Sequence, residues 1–301
     1  MGVSVERTAI GPTMLVAIDQ HDDRPIIIDP WAARILPPAW RVPIALGRWG
    51  RVRRAMAGVS DKSAPGAWAS LLCRKRYLDD LARTAARDGF EALVLVGAGY
   101  DTRAYRVPEL ADMRVWEVDL ARNIVAKARA LRRCFGAIPS HVNLVPANLE
   151  HEDLTERLID HEFDTGMRTV FVWESVTMYL TARAVRETLC QMAECAPGSR
   201  LAFTYFRKDF IDGTALYGAD AAYEKFVVRQ KLWTFGLHPD DVSGLLAENG
   251  WGETEQLGPV EYRDRYLKPA GRDQPVSEIE RAVCATRLPA TVHAGGGHDG
   301  A

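Results

Sequence analysis

The sequence is poor in cysteine, has no long apolar run and carries almost no net charge. Its five cysteines (Cys73, Cys134, Cys190, Cys195 and Cys284) are odd in number, scattered and free of any C-x-x-C pair. That pattern excludes a disulfide scaffold and a zinc site, and reads as reduced, mostly buried thiols. Uncharged apolar stretches run to only a handful of residues, against the roughly 20 needed to span a bilayer. Residues 1–10 lack the basic and apolar regions of a signal peptide, so a soluble, cytoplasmic protein is expected. Lys plus Arg number 38 against 40 Asp plus Glu, a net charge of −2. A general nucleic-acid binder needs a basic excess that is missing here. His141, His151 and His161 lie ten apart in polar surroundings, which is surface spacing and no metal-ligand spacing, and no metal is expected.

What is present is an ordinary globular composition, 47% hydrophobic and 26% charged, which excludes a mainly disordered chain. Residues 1–64 are rich in Pro and Trp, with an Arg-rich stretch over 48–54. Proline at this density predicts short helical pieces joined by turns, and the arginine run reads as a solvated helix face or loop, with binding of an acidic partner as its other reading. From 65 to 206 a βαβ rhythm appears. Helical spacing covers 68–87, 121–133 and 181–195, and β-rich apolar runs cover 92–97, 115–119, 142–147, 169–173 and 201–206. Continuous apolar strands alternating with helices predict a mostly parallel sheet covered on both faces, an α/β doubly wound fold. Residues 207–237 form an aromatic, irregular insert, followed by a helix over 240–248 and a strand over 282–286. The expected organisation is a cap over 1–64, one domain over 65–290 and a disordered tail over 291–301.

The first strand runs into Gly97-Ala98-Gly99, where glycines allow a sharp turn and close approach of a ligand. A dinucleotide fingerprint would place a third glycine at 102, and Thr102 stands there, which disfavours a nicotinamide oxidoreductase. Asp119 ends the second strand about 20 residues after Gly97, where an acid can accept hydrogens from a ribose, and Glu117 is its fallback. An isolated Asp there would equally serve as a helix N-cap. Loop and acid together favour an adenosine-containing cofactor, and S-adenosylmethionine fits better than a dinucleotide.

The stretch Leu95-Val96-Gly97-Ala98-Gly99-Tyr100-Asp101-Thr102-Arg103-Ala104-Tyr105-Arg106 resembles the "GAG-x-DTRA-x-R" signature of the leucine carboxyl methyltransferase family. Its bacterial members of the tetracenomycin type, which O-methylate polyketides, are the nearest likeness. Three further blocks agree in order and spacing: Arg74-Lys75-Arg76-Tyr77-Leu78-Asp79-Asp80, Glu117-Val118-Asp119-Leu120, and Trp173-Glu174-Ser175-Val176-Thr177-Met178-Tyr179-Leu180. The likeness spans about 65–290, and the first 64 residues match only loosely. It implies a class I, Rossmann-like methyltransferase using S-adenosylmethionine. Arg74, or failing it Arg76, would pair with the cofactor carboxylate through its planar fork. Gly97, Ala98 and Gly99 would lie under the cofactor, and Asp119 beside Leu120 would take the ribose. Where the family has Asp-Leu after the third strand this chain has Asn148-Leu149, so the adenine contact keeps an acceptor and loses a charge. Glu174 would sit beside the cofactor's cationic amino and sulfonium groups.

The resemblance implies methyl transfer to a carboxylate or hydroxyl oxygen of a small polyketide-like or aromatic natural product. C- or N-methylation of an aromatic or indole-type molecule, and methylation of a protein C-terminal carboxylate, are the alternatives. A non-catalytic cofactor-binding module is disfavoured because Asp119 and Glu174 are retained. Besides Glu174, Tyr179 and His238 are nominated for the reaction, His238 as the only histidine placed to act as a base, with a surface position at a helix entry as its other reading. Tyr179, Tyr205, Phe206 and the insert would either wall a substrate pocket closed by the Trp31 region or form a core beneath a lid. The expected partner is a small molecule, with no nucleic acid and no membrane.

Overall fold

Seven strands form one sheet: β1 (Ala92–Val96), β2 (Arg114–Asp119), β3 (Val142–Pro146), β4 (Thr169–Trp173), β5 (Arg200–Phe206), β6 (Trp251–Leu257) and β7 (Glu280–Arg287). Their order is β3-β2-β1-β4-β5-β7-β6. The first five pair in parallel, and β7 runs antiparallel between β5 and β6. This computed structural model describes residues 5–289, and the expected tail over 291–301 lies outside them. Among the described residues no helix is long and apolar enough to cross a membrane.

The continuous apolar strands are explained by burial on both faces. All five residues of β1 are buried. Leu93 and Leu95 join the core beneath the long helix Ala67–Arg87, whereas Val94 and Val96 join the opposite core with helices Ala182–Met192 and Val242–Glu248. That alternation is the period-2 geometry of a strand. Strands β1 to β5 and β7 fall within a few residues of the expected runs. β6 was not expected: Trp251-Gly252-Glu253-Thr254-Glu255-Gln256-Leu257 is an edge strand anchored by its buried ends, and the polar middle hides its period.

The N-terminal segment departs from the expected short pieces. It contains such pieces at Ala32–Ile35, Pro38–Trp40 and Arg41–Leu46, but also helices of 15 residues (Val5–Asp19, with Pro12 inside) and 14 residues (Gly50–Ser63). Tertiary packing outweighs the local cost of Pro12. Ile18, Ile27, Ile35 and Ile44 are buried in the same core as Leu72, Leu78 and Leu93. Arg133, at the end of helix Ala121–Phe135, donates to the carbonyls of Ile35 (2.7 Å) and Leu36 (3.0 Å) and so ties the segment down. A shared core predicts shared cooperativity. Ile35→Ala at this fully buried site is expected to lower the stability of the whole chain by about 2–4 kcal/mol in one denaturant transition. A separate early transition for the N-terminal segment is the contrary result.

Candidate active site

β1 lies between β2 and β4, so the chain leaves β1 on one side and returns on the other. Such a switch point opens a crevice at the carboxyl ends of the strands. A cleft of about 460 Å³ lies there, within the usual size for small-molecule sites. Its floor is the Gly97–Gly99 loop. Both glycines have left-handed backbones, with φ of +74° and +44°. A Cβ at Gly97 would lie 2.1 Å from Cγ2 of Val176, so the loops after β1 and β4 pack backbone against side chain. Asp119 at the tip of β2 binds this loop, its Oδ2 accepting the Gly99 N–H at 2.7 Å. Its Oδ1 accepts from Leu120 N and Asn123 Nδ2, each at 2.7 Å. Two donors fill the lone pairs of Oδ1, and one position on Oδ2 is left.

The opposite wall is a buried network of charges. Glu174, the residue after β4, receives Arg74 Nε at 3.0 Å, Lys75 Nζ at 3.2 Å and Arg103 Nη2 at 3.3 Å. Arg103 also pairs with Asp79 (2.8 Å) and Asp101 (3.1 Å), and Lys75 with Asp101 (3.4 Å). Glu280 from β7 closes the network: one of its oxygens pairs with Arg74, and the other accepts from Ser175 Oγ and Thr204 Oγ1 at 2.7 Å each. Burial alone would push the Glu174 carboxyl up, but Lys75, Arg74 and Arg103 outweigh it and hold the group at about 2. Asp101 is likewise largely shielded from solvent, and Arg103, Lys75, Arg106 and Lys127 hold it well below the ordinary carboxylate range. Ser175 has φ of +54°, an uncommon backbone for a serine, fixed by its bond to Glu280 and by Thr204 Oγ1 accepting its N–H at 2.8 Å.

Most of the nominated residues converge on the cleft. Arg74 and Glu174 form one side, Gly97, Ala98 and Gly99 the floor, and Asp119 with Leu120 a second side. Asn148, Leu149 and Tyr179 also line it. Asn148 Oδ1 already accepts the Glu150 N–H at 3.2 Å, within a turn. Arg76 is a correction. Two residues beyond Arg74 on a helix it points outward, is exposed, and pairs with Asp80 at 3.0 Å. His238 is a second: it is exposed, precedes the turn Pro239–Asp241 and does not line the cleft. Tyr205 points to the face of β5 opposite Phe206 and bonds Gln256. Of the aromatics in and before the insert, Phe206 and Trp233 line the cleft, while Phe210 packs behind them in a small core. Sequence reasoning passed over Lys75, Asp101, Ser175 and Glu280. Lys75, Asp101 and Ser175 lie inside the motif blocks, so their signal was available. Glu280 has none.

A leucine carboxyl methyltransferase family profile matches residues 9–193, more than half of the chain. The chain belongs to that family. A relative from Frankia alni, provisionally named an S-adenosyl-L-methionine-dependent methyltransferase, is 29% identical across 92% of this chain and 93% of its own. A Mycobacterium tuberculosis relative with the same provisional name is 31% identical across 76% of this chain and 77% of its own. A crystal structure from Thermobifida fusca, provisionally named a methyltransferase, shares the fold, with a TM-score of 0.55 and 17% identity over 79% of this chain and 89% of that one. The family member described here is an S-adenosylmethionine-dependent methyltransferase of the class I fold.

The charge network makes acid stability a readout of the site. Because Glu174 is held below its ordinary value of 4.5, its stabilisation is complete above about pH 4.5 and is lost as pH falls toward 2. Glu174→Gln starts less stable, since Arg74, Lys75 and Arg103 each lose an ion-pair partner in a buried setting. Its urea midpoint should then fall less than that of the wild type between about pH 5 and pH 3. Parallel acid limbs for the two proteins are the contrary result.

Proposed function

We propose that the enzyme methylates the carboxylate oxygen of a small, flat, apolar acid of the polyketide-like or aromatic kind. The observation that carries this reading is how the cleft's possible bases are occupied: among the described residues lining it there is no histidine, Asp101 and Glu174 are held as weakly basic carboxylates, Asp119 accepts from Gly99, Leu120 and Asn123, and Glu150 accepts from Thr181. An acceptor carboxylate is ionised at neutral pH and needs no proton removed, whereas an alcohol or a carbon acid is helped by a base. Met178, Leu180, Phe206 and Trp233 give one end of the cleft an apolar, partly aromatic wall suited to such a molecule.

The residues present fit S-adenosylmethionine, which when bound supplies an electrophilic methyl group on a cationic sulfonium. Arg74, Lys75, Arg103 and Arg106 face Asp29, Asp79, Asp101, Glu174 and Glu280, so the network carries one more negative than positive charge. A net-positive ligand with a carboxylate of its own suits that balance. Glu174 keeps its charge for a cationic group, and Arg74 offers a guanidinium to an anionic one. Asp119 offers its remaining Oδ2 position to a hydroxyl, and Leu120 and Leu149 provide apolar walls. The enzyme's part in the transfer is then alignment and exclusion of water, with the loop fixed by Asp119 and the charged wall fixed by Glu280. Tyr179 borders the apolar end, where a phenol can orient an acceptor.

Asp119→Ala is expected to weaken S-adenosylmethionine binding at least about tenfold by calorimetry, since a charge-assisted hydrogen bond is lost. Unchanged affinity would move the hydroxyl contact elsewhere. The acceptor is tested by incubating the enzyme and methyl-labelled cofactor with an aromatic carboxylic acid and with its phenol and amine analogues. The label should enter the acid alone, in a form that mild alkali releases as methanol. An alkali-stable methyl group on any of the three would overturn the carboxylate reading.

A further inference from the structure

Residues 30–60 contain six arginines and not one Asp or Glu, in a chain whose net charge is −2. From sequence alone this run reads as a solvated face. The structure adds three observations. First, of the six, among the described residues only Arg53 forms an ion pair, with Asp22 at 3.3 Å. Arg41, Arg48, Arg51 and Arg54 are exposed without one, as is Lys62 just beyond. Arginines elsewhere are typically paired, even on the surface, as Arg183 with Glu187 and Arg186 with Glu248. Second, large apolar side chains stand exposed among these cations: Val42 is 67%, Trp49 49% and Val59 69% accessible. Third, the helix Gly50–Ser63 has no buried residue. Met56 and Ala57 rest against the core, while Arg51, Arg54, Ala55, Val59 and Lys62 form a continuous outward stripe at helical spacing.

A second acid-free stretch extends the field. Residues 120–149 carry Arg122, Lys127, Arg129, Arg132 and Arg133 and no Asp or Glu. Lys127 is buried, but the four arginines are exposed. The two stretches meet where Trp31 packs on Phe135, with ring centroids 4.4 Å apart, and where Arg133 donates to the carbonyls of Ile35 and Leu36. The two basic stretches therefore adjoin at this contact.

We infer that the outward face of residues 41–62 docks on an anionic lipid membrane, with the arginines on lipid phosphates and Trp49, Val42 and Val59 in the headgroup region. Basic residues interleaved with exposed Trp and aliphatic side chains are what an interfacial helix presents to such a surface. A nucleic acid would use the arginines and could stack on Trp49, but it offers nothing to Val42 or Val59. The placement also has a use. Gly47, which ends the helix Arg41–Leu46, packs tightly on Ile18 of helix Val5–Asp19, and that helix contributes Pro12 and Thr13 to the cleft. A docked enzyme thus holds its cleft within one helix of a reservoir of apolar acceptors. The docking does not depend on which atom is methylated.

The test is co-sedimentation of the full chain with vesicles of phosphatidylcholine alone and of phosphatidylcholine with phosphatidylglycerol. Binding is expected to the anionic vesicles only and to be released by added salt. Each basic residue near an anionic surface adds roughly fivefold to partitioning, so the combined Arg48→Glu, Arg51→Glu, Arg54→Glu variant should bind on the order of 100-fold more weakly. It should keep full methyl transfer to a soluble acceptor, because none of these residues borders the cleft. If the glutamate variant does not fold, the three Gln substitutions and the salt titration of the wild type give the same reading. Equal binding to neutral and anionic vesicles, unchanged binding by the variants, or tighter binding to an oligonucleotide of equal phosphate concentration would each overturn the proposal.

Discussion

Glu174 follows β4 with its carboxylate among Arg74, Lys75 and Arg103, in a place where burial makes neutralisation compulsory. An unpaired charge there would cost several kcal/mol, so each member needs the others. The partners come from the long helix Ala67–Arg87, the loop after β1 and the late strand β7, which are distant in sequence. The sheet has to be complete, β7 included, before the network exists. Folding and the electrostatics of the cleft are therefore one problem in this chain. The same network keeps Asp101 and Glu174 weakly basic, which favours the proposed acceptor that arrives ionised.

Much of this was legible in the sequence. The continuous apolar runs could only be strands buried on both faces, and Gly97, Gly99 and Asp119 are local in sequence and fixed by the βαβ unit. What stayed hidden depends on long-range geometry. Glu280 lies 206 residues from Arg74, and nothing in its own surroundings marks it. Arg74 and Arg76 look equivalent on paper, and only the face that helix Ala67–Arg87 turns to the sheet separates them. His238 drew notice as a titratable group near aromatics, yet the turn at Pro239 leaves it in solvent. β6 escaped because an edge strand needs little hydrophobic pattern.

The N-terminal segment serves two structural ends at once. Its inner side completes the core over the helix Ala67–Arg87 and places Pro12 and Thr13 at the cleft, while its outer side carries cations that the protein itself leaves unpaired. Buried arginines around Glu174 are neutralised to the last contact, and exposed ones over 41–54 are not. That contrast separates charge used for construction from charge offered outward.

The central claim, that the cleft aligns an already ionised acceptor and supplies no base, is tested most directly by the pH dependence of kcat/KM with a carboxylic acid acceptor. Neither the acceptor nor Glu174 and Asp101 changes charge between about pH 6 and pH 9, so the profile should be flat across that range. A rise governed by a group titrating near neutrality would contradict the account and restore a general base to the mechanism.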